Sequence, residues 1–127
     1  GVPPERPGLM ALFNRRSFVA YVGRLKGTGI SEQWESHVAK VGGKAFALLA
    51  ADGSQIVFKV TELSFDGLTS LEDVRQAAYF AKRQWVAVGR DAPLSDAELK
   101  GYIAASYDLV AAKLTRKLRA ELGIGEA

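Results

Sequence analysis

Cysteine is absent from this chain and histidine occurs once. Without thiols there are no disulfides, thiolate metal sites or cysteine chemistry, which fits a reducing compartment; a cytoplasmic location is expected. The single histidine, His37, leaves any zinc site to carboxylates alone. At the start of a predicted strand it reads as a structural or surface residue. Long apolar runs are missing too. Stretches such as Ala45–Ala51 and Trp85–Val88 are far shorter than the ~20 residues that cross a bilayer. No basic stretch leading into an apolar core opens the chain, so neither a membrane span nor a secretory signal is expected. No serine lies in a Gly-x-Ser-x-Gly elbow, and Gly27-Thr-Gly29 and Gly42-Gly43-Lys44 lack the longer glycine spacing of a phosphate-cradling loop. The adjacent carboxylates Glu72 and Asp73 read as solvated charge. A non-enzyme is expected, with no catalytic residue, no metal ligand and no cofactor.

What is present is ordinary in amount and uneven in placement. The 127 residues suit one domain, and 48% hydrophobic with 24% charged residues excludes a disordered or low-complexity chain. A total of 17 Lys and Arg against 14 Asp and Glu leaves a net charge of +3, a mild bias that is no nucleic-acid signature by itself. Its distribution says more. Residues 61–80 hold the acids Glu62, Asp66, Glu72 and Asp73 with one base, Arg75; residues 81–90 hold Lys82, Arg83 and Arg90 with no acid; residues 113–119 hold Lys113, Arg116, Lys117 and Arg119, again with no acid.

Residues 1–8 carry three of the four prolines and are expected to form a disordered arm, leaving 9–127 as a single domain. Leu9–Phe13 suits a helical turn over the core. Phe18, Tyr21, Val22 and Leu25 then recur at i, i+3, i+4 and i+7, an amphipathic helix capped by Asn14 or Ser17 and ended by Gly27 or Gly29. His37–Val41, Lys44–Ala50 and Ser54–Val60 read as strands joined at Gly42-Gly43 and Asp52-Gly53. Alternation puts Lys44, Phe46, Leu48 and Ala50 on one face of the second strand, and Glu32–Ser36 is a further edge-strand candidate. Phe65, Leu68 and Leu71 predict a short helix, and Tyr79–Phe80 and Gln84–Val88 two short strands. Ser95-Asp-Ala-Glu98 is a capping box opening a long helix with Leu99, Tyr102, Ile103, Ser106, Val110 and Leu114 on one stripe. That helix either runs on or kinks near Thr115 before Gly123 stops it. The predicted fold is a two-layer α+β sandwich, order α-β-β-β-α-β-β-α, with about five antiparallel strands and the helices on one face. Its nucleus is Phe18, Val22, Phe46, Leu48, Ile56, Phe58, Val86, Ile103 and Val110.

Two segments carry candidate chemistry. In Tyr79-Phe80-Ala81-Lys82-Arg83-Gln84-Trp85, Lys82 and Arg83 suit backbone phosphates while Tyr79 or Trp85 offers a flat contact surface; for Trp85 a place in the core between sheet and helix is the stronger expectation. In the second segment, Ser106 within the apolar stripe is small enough to bring the helix close to the sheet. The bases that follow it, Lys113 to Arg119, also oppose the macrodipole at a helix C-terminus.

Gly43-Lys44-x-Phe46-Ala47, Phe58-Lys59, Lys82-Arg83-x-Trp85 with Val86 and Val88, Leu99, and Ser106-Tyr107-Asp108-Leu109-Val110 follow in that order between Val41 and Lys117. Together they resemble the MmcQ/YjbR family of small bacterial proteins. The resemblance implies a frataxin-like and secretion-chaperone-like α+β fold, and DNA binding by a double-wing arrangement with no established reaction or cofactor. The expected function is thus largely sequence-nonspecific binding of duplex DNA, with Lys82, Arg83, Lys113, Arg116, Lys117 and Arg119 as phosphate contacts. The alternative is a non-enzymatic module binding a protein or small ligand through the sheet face or aromatic loop. One contiguous basic stripe would favour the first, a closed apolar pocket near Trp85 the second.

Overall fold

The structure, a computed structural model, describes residues 12–124; the expected arm at 1–8 and the start of the 9–13 turn lie outside the described residues. Asn14 is extended and its side chain accepts the Ser17 amide at 2.9 Å, so helix α1 (Arg15–Val22) begins where the capping chemistry placed it. It ends earlier than expected, at Gly23. The amides of Arg24 and Leu25 bond to Tyr21 and Val22, one residue short of the helical spacing, and tighten the chain out of the helix. Gly27, left-handed at φ 77°, then turns it into the first strand.

Six strands and three more helices follow among the described residues: β1 (Thr28–Gln33), β2 (Ser36–Val41), β3 (Lys44–Ala50), β4 (Gln55–Lys59), α2 (Glu62–Thr69), β5 (Val74–Gln76), β6 (Trp85–Gly89), α3 (Asp96–Ala111) and α4 (Arg116–Glu121). All pairs are antiparallel in one sheet of order β1-β2-β3-β4-β6-β5. The class is the expected one; the strands differ in number and in two places. Of Glu32–Ser36, Glu32 and Gln33 end β1 and Ser36 opens β2, while Trp34 and Glu35, both left-handed at φ 53° and 57°, make the hairpin corner between them. Tyr79–Phe80 is loop, with Tyr79 left-handed at φ 71°, and β5 lies upstream at Val74–Gln76. At the far end Ser95 and Glu98 form the capping box, each side chain meeting the other's amide at 3.1 and 2.8 Å. The long helix stops at Ala111, and Thr115 caps a new one by accepting the Leu118 amide.

The helices all pack on one face of the sheet, where Phe18, Val22, Phe46, Ile56, Phe58, Val86, Ile103 and Val110 are buried together. The ninth expected member, Leu48, belongs to a separate cluster on the opposite face with Val38, Val57, Ala77 and Ala87. A β-bulge explains the difference. Lys40 pairs with Ala45 and Ala39 with Ala47, so Phe46 is an extra residue with no partner on β2. From there the alternation of β3 is reset: Phe46, Ala47 and Leu49 face the helices while Leu48 faces away. No helix among the described residues is long and apolar enough to cross a membrane.

Candidate functional site

The bulge leaves a gap in the ladder that a side chain from α3 fills. Beyond the pair Ala47–Phe58, the Ser106 hydroxyl donates to the Phe46 carbonyl at 2.6 Å and accepts from the Lys59 amide at 2.9 Å. Ser106 is completely buried. The small residue does bring the helix close, as expected, but its hydroxyl also completes the hydrogen bonding between two strands. Next to it, Tyr107 sets its ring edge-on to Phe46 at 5.3 Å and donates its hydroxyl to the Lys26 carbonyl. Burial holds the Tyr107 phenol above its ordinary pKa, with the Asp108 charge adding to the effect. The Phe46, Lys59 and Ser106-Tyr107 motifs, far apart in sequence, therefore meet at one point.

That point lies at one end of the sheet, and the end is basic. Antiparallel pairing brings the end of β2, the start of β3, the end of β4 and the start of β6 to the same side. Lys59 closes β4 opposite Trp85, Lys44 opens β3, and Lys113 follows α3, whose neighbouring Leu114 packs against the Gly42 turn. Burial, then the charges of Lys113 and Lys44, hold the Lys59 ammonium below its ordinary pKa. Lys82 is exposed in the loop before β6, and Lys113, Arg116 and Lys117 are exposed around the start of α4. Among the described residues none of these four, nor Lys44 or Lys59, makes an ion pair.

Two of the expected phosphate contacts, Arg83 and Arg119, differ from the others in their surroundings. The Arg83 guanidinium is 3.0 Å from Asp66 and 5.3 Å above the Phe65 ring, both on α2. Its hydrogen bond to Asp66 raises its pKa, and the pair ties the loop to the helix. Arg119 is half-buried. Lys44 and Lys59 also stand at the basic end, at strand ends without any run of like charge to single them out.

The face without helices is a trough of about 540 Å³ lined by Leu48, Val57 and Gln55 on the floor and Trp34, Tyr79 and Phe80 at the rim. Trp34 is 68% exposed and Tyr79 fully so. The loop carrying Tyr79 and Phe80 is wound around the Gln76 side chain, whose amide donates to the Ala77 and Phe80 carbonyls and accepts from the Arg83 amide. Trp85 is not between sheet and helix. Val86 and Val88 face the helices, so alternation turns Trp85 to the open face, half-buried against Phe80 with ring centroids 4.6 Å apart. His37 places Nδ1 2.6 Å from a Glu32 carboxylate oxygen on the helix side. No group of three metal-ligating side chains occurs among the described residues.

The chain is similar in structure to the crystal structure of the Deinococcus radiodurans protein DR2400, a DUF419 domain (TM-score 0.78, 22% identity, 90% of this chain and 91% of that one). It is also similar to a Pseudomonas syringae protein determined as structural genomics target PsR293 (TM-score 0.63, 23% identity, 76% of this chain and 97% of that one). At these identities the likeness is one of fold. No curated protein sequence matches the chain. The YjbR family model matches residues 23–109, a span that takes in the bulge, Lys59, the Gln76 loop and Ser106 and stops before the Lys113–Arg119 bases. With most of its length matched and the motif residues gathered at one end of the sheet, the chain belongs to the YjbR family.

Proposed function

We propose that the protein binds DNA through the phosphate backbone at the basic end of its sheet, with Lys44, Lys59, Lys82, Lys113, Arg116 and Lys117 as the contacts. The observation that carries this is the company Lys59 keeps. A half-buried ammonium held beside two like charges, with no carboxylate paired to it, is a site where a bound anion relieves repulsion. Phosphate contacts position a nucleic acid without reading its bases, so binding is largely indifferent to sequence. DNA as partner agrees with a cytoplasmic location. No chemistry is assigned to the site, and the protein acts as a binding module.

The test is an anisotropy titration against random-sequence duplex at several salt concentrations. Contact with about four phosphates gives a log–log slope of roughly −3.6. Lys82→Ala together with Lys113→Ala should flatten it by about two units without unfolding the domain. Absence of binding to any nucleic acid at low salt overturns the proposal. It would favour a second reading, a module whose apolar trough takes a protein or small ligand; that reading rests on the uncovered floor of Leu48 and Val57.

A further inference from the structure

Building on the phosphate site just proposed, we infer that the helix-free face of the sheet seats unpaired bases, so that the preferred partner is a single-stranded nucleic acid. The face has a largely apolar floor and flat walls. Val38, Leu48, Val57 and Ala87 are buried there although no helix covers them, and the trough that Leu48 and Val57 line falls within the 300–1,000 Å³ typical of small-ligand sites. Its rim carries two exposed aromatics, Trp34 and Tyr79. Each is held at positive φ, a conformation that residues with a Cβ seldom adopt, and each presents its ring to solvent rather than to the core.

The charge on this face matches an anionic chain. By register the strand positions facing away from the helices include Lys40 and Lys59, with Arg75 there held 3.3 Å from Asp73, and among the described residues no carboxylate occupies such a strand position. The single acid in a strand among the described residues, Glu32, pairs in register with His37 on the helix side. The aromatic and basic elements are also adjoining. Tyr79 is three residues before Lys82 in one loop, and Trp85 is the cross-strand partner of Lys59. Flat apolar surfaces next to lysines are what single-stranded binding uses, since any base can stack on an aromatic ring while its phosphate meets a lysine. A duplex keeps its base faces stacked inside and would leave Trp34 and Tyr79 idle.

Two probes of equal length, an oligo-dT strand and a random duplex, separate this inference from the reading beneath it; an oligo-rU strand tells whether DNA or RNA is preferred. The dT or rU strand should bind more tightly than the duplex at the same salt and quench the tryptophan fluorescence of the unmodified protein. Tyr79→Ala and Trp34→Ala change exposed side chains, and their circular dichroism should match that of the parent. Each should weaken single-strand binding about tenfold, a loss in the range of one base–aromatic stack, with duplex binding unchanged and Tyr79→Phe restoring affinity. Lys82→Ala should weaken both. Equal affinity for strand and duplex, with both alanine variants neutral, overturns the base seat and leaves the phosphate site standing. Binding of neither probe overturns both, as does capture of an apolar peptide in the trough without any nucleic-acid binding.

Discussion

Ser106 donates to one strand and accepts from the next, so its removal leaves two main-chain groups without a partner. Both the Phe46 carbonyl and the Lys59 amide lie beneath α3, where water cannot replace the hydroxyl at no cost. Ser106→Ala is expected to lower stability by about 1–3 kcal/mol, the usual penalty for stranding buried polar groups. Urea denaturation reads this directly, and a loss under about 0.5 kcal/mol would mean that β3 and β4 close on each other once the serine is gone. The sequence showed Ser106 on an apolar stripe, where a small side chain is reason enough for a serine. The hydroxyl's partner is a bulge, and nothing in Lys44-Ala-Phe-Ala-Leu distinguishes a bulged strand from a regular one. Trp85 was a different case. With Val86 in the nucleus on the helix side, and neighbours in a strand facing opposite ways, the orientation of Trp85 is legible in the sequence.

Where helices and turns use residues whose side chains act locally, the sequence and the structure agree closely. Asn14 and Ser95 each accept the amide three residues on, and the Gly42-Gly43 turn joins β2 to β3 as expected, with both glycines left-handed. Ser95→Ala should cost ~1 kcal/mol, less than Ser106→Ala, because the freed amide of Glu98 opens to solvent. An unchanged denaturation midpoint would show that the first turn of α3 is slack. The elements that escaped detection are those whose turns use the wrong residues. Trp34 and Glu35 occupy two positions usually given to Asn and Gly, so no local pattern marks the corner of β1, which begins at Thr28 rather than Glu32. The loop after β5 is organised by the Gln76 side chain, which reaches residues up to seven positions away. No local pattern records such a contact, and the aromatic pair Tyr79-Phe80 there imitates a strand.

For the molecule as a whole, alkaline pH is the informative variable. Burial raises the phenol pKa of Tyr21, against an opposing pull from Lys100 and Arg24, and it raises that of Tyr107. The unfolded chain ionises these phenols near pH 10 while the folded chain still holds their protons, so this part of the stability is intact below pH 10 and is lost as pH rises beyond it. Lys59 works the other way. Its lowered pKa makes the folded state release a proton before the unfolded chain does, so its contribution grows as pH approaches its ordinary value of 10.5. Thermal melts between pH 9 and 11 should therefore steepen downward above pH 10. Tyr107→Phe should flatten that fall, and an equally steep fall in that variant would remove Tyr107 from the account. The α+β class and the placement of the helices on one face could be read from periodicity, because burial on one side imposes it. The basic end could be read only in part: Lys82, Lys113, Arg116 and Lys117 stand in charge clusters, whereas Lys44 and Lys59 join them through strand pairing alone.

The serine that closes the β3–β4 gap lies 60 residues after one of its partners and 47 after the other. During synthesis every strand of the sheet is made before that serine exists. The meander can collapse early, but the seam between β3 and β4 waits for α3, and a chain cut before Ser95 carries an unfinished sheet with an amide and a carbonyl unpaired at its basic end. Completion of the sheet and docking of α3 thus become a single event, late and non-local, and the Lys59 ammonium takes its place at the mouth of the seam only when that event is over.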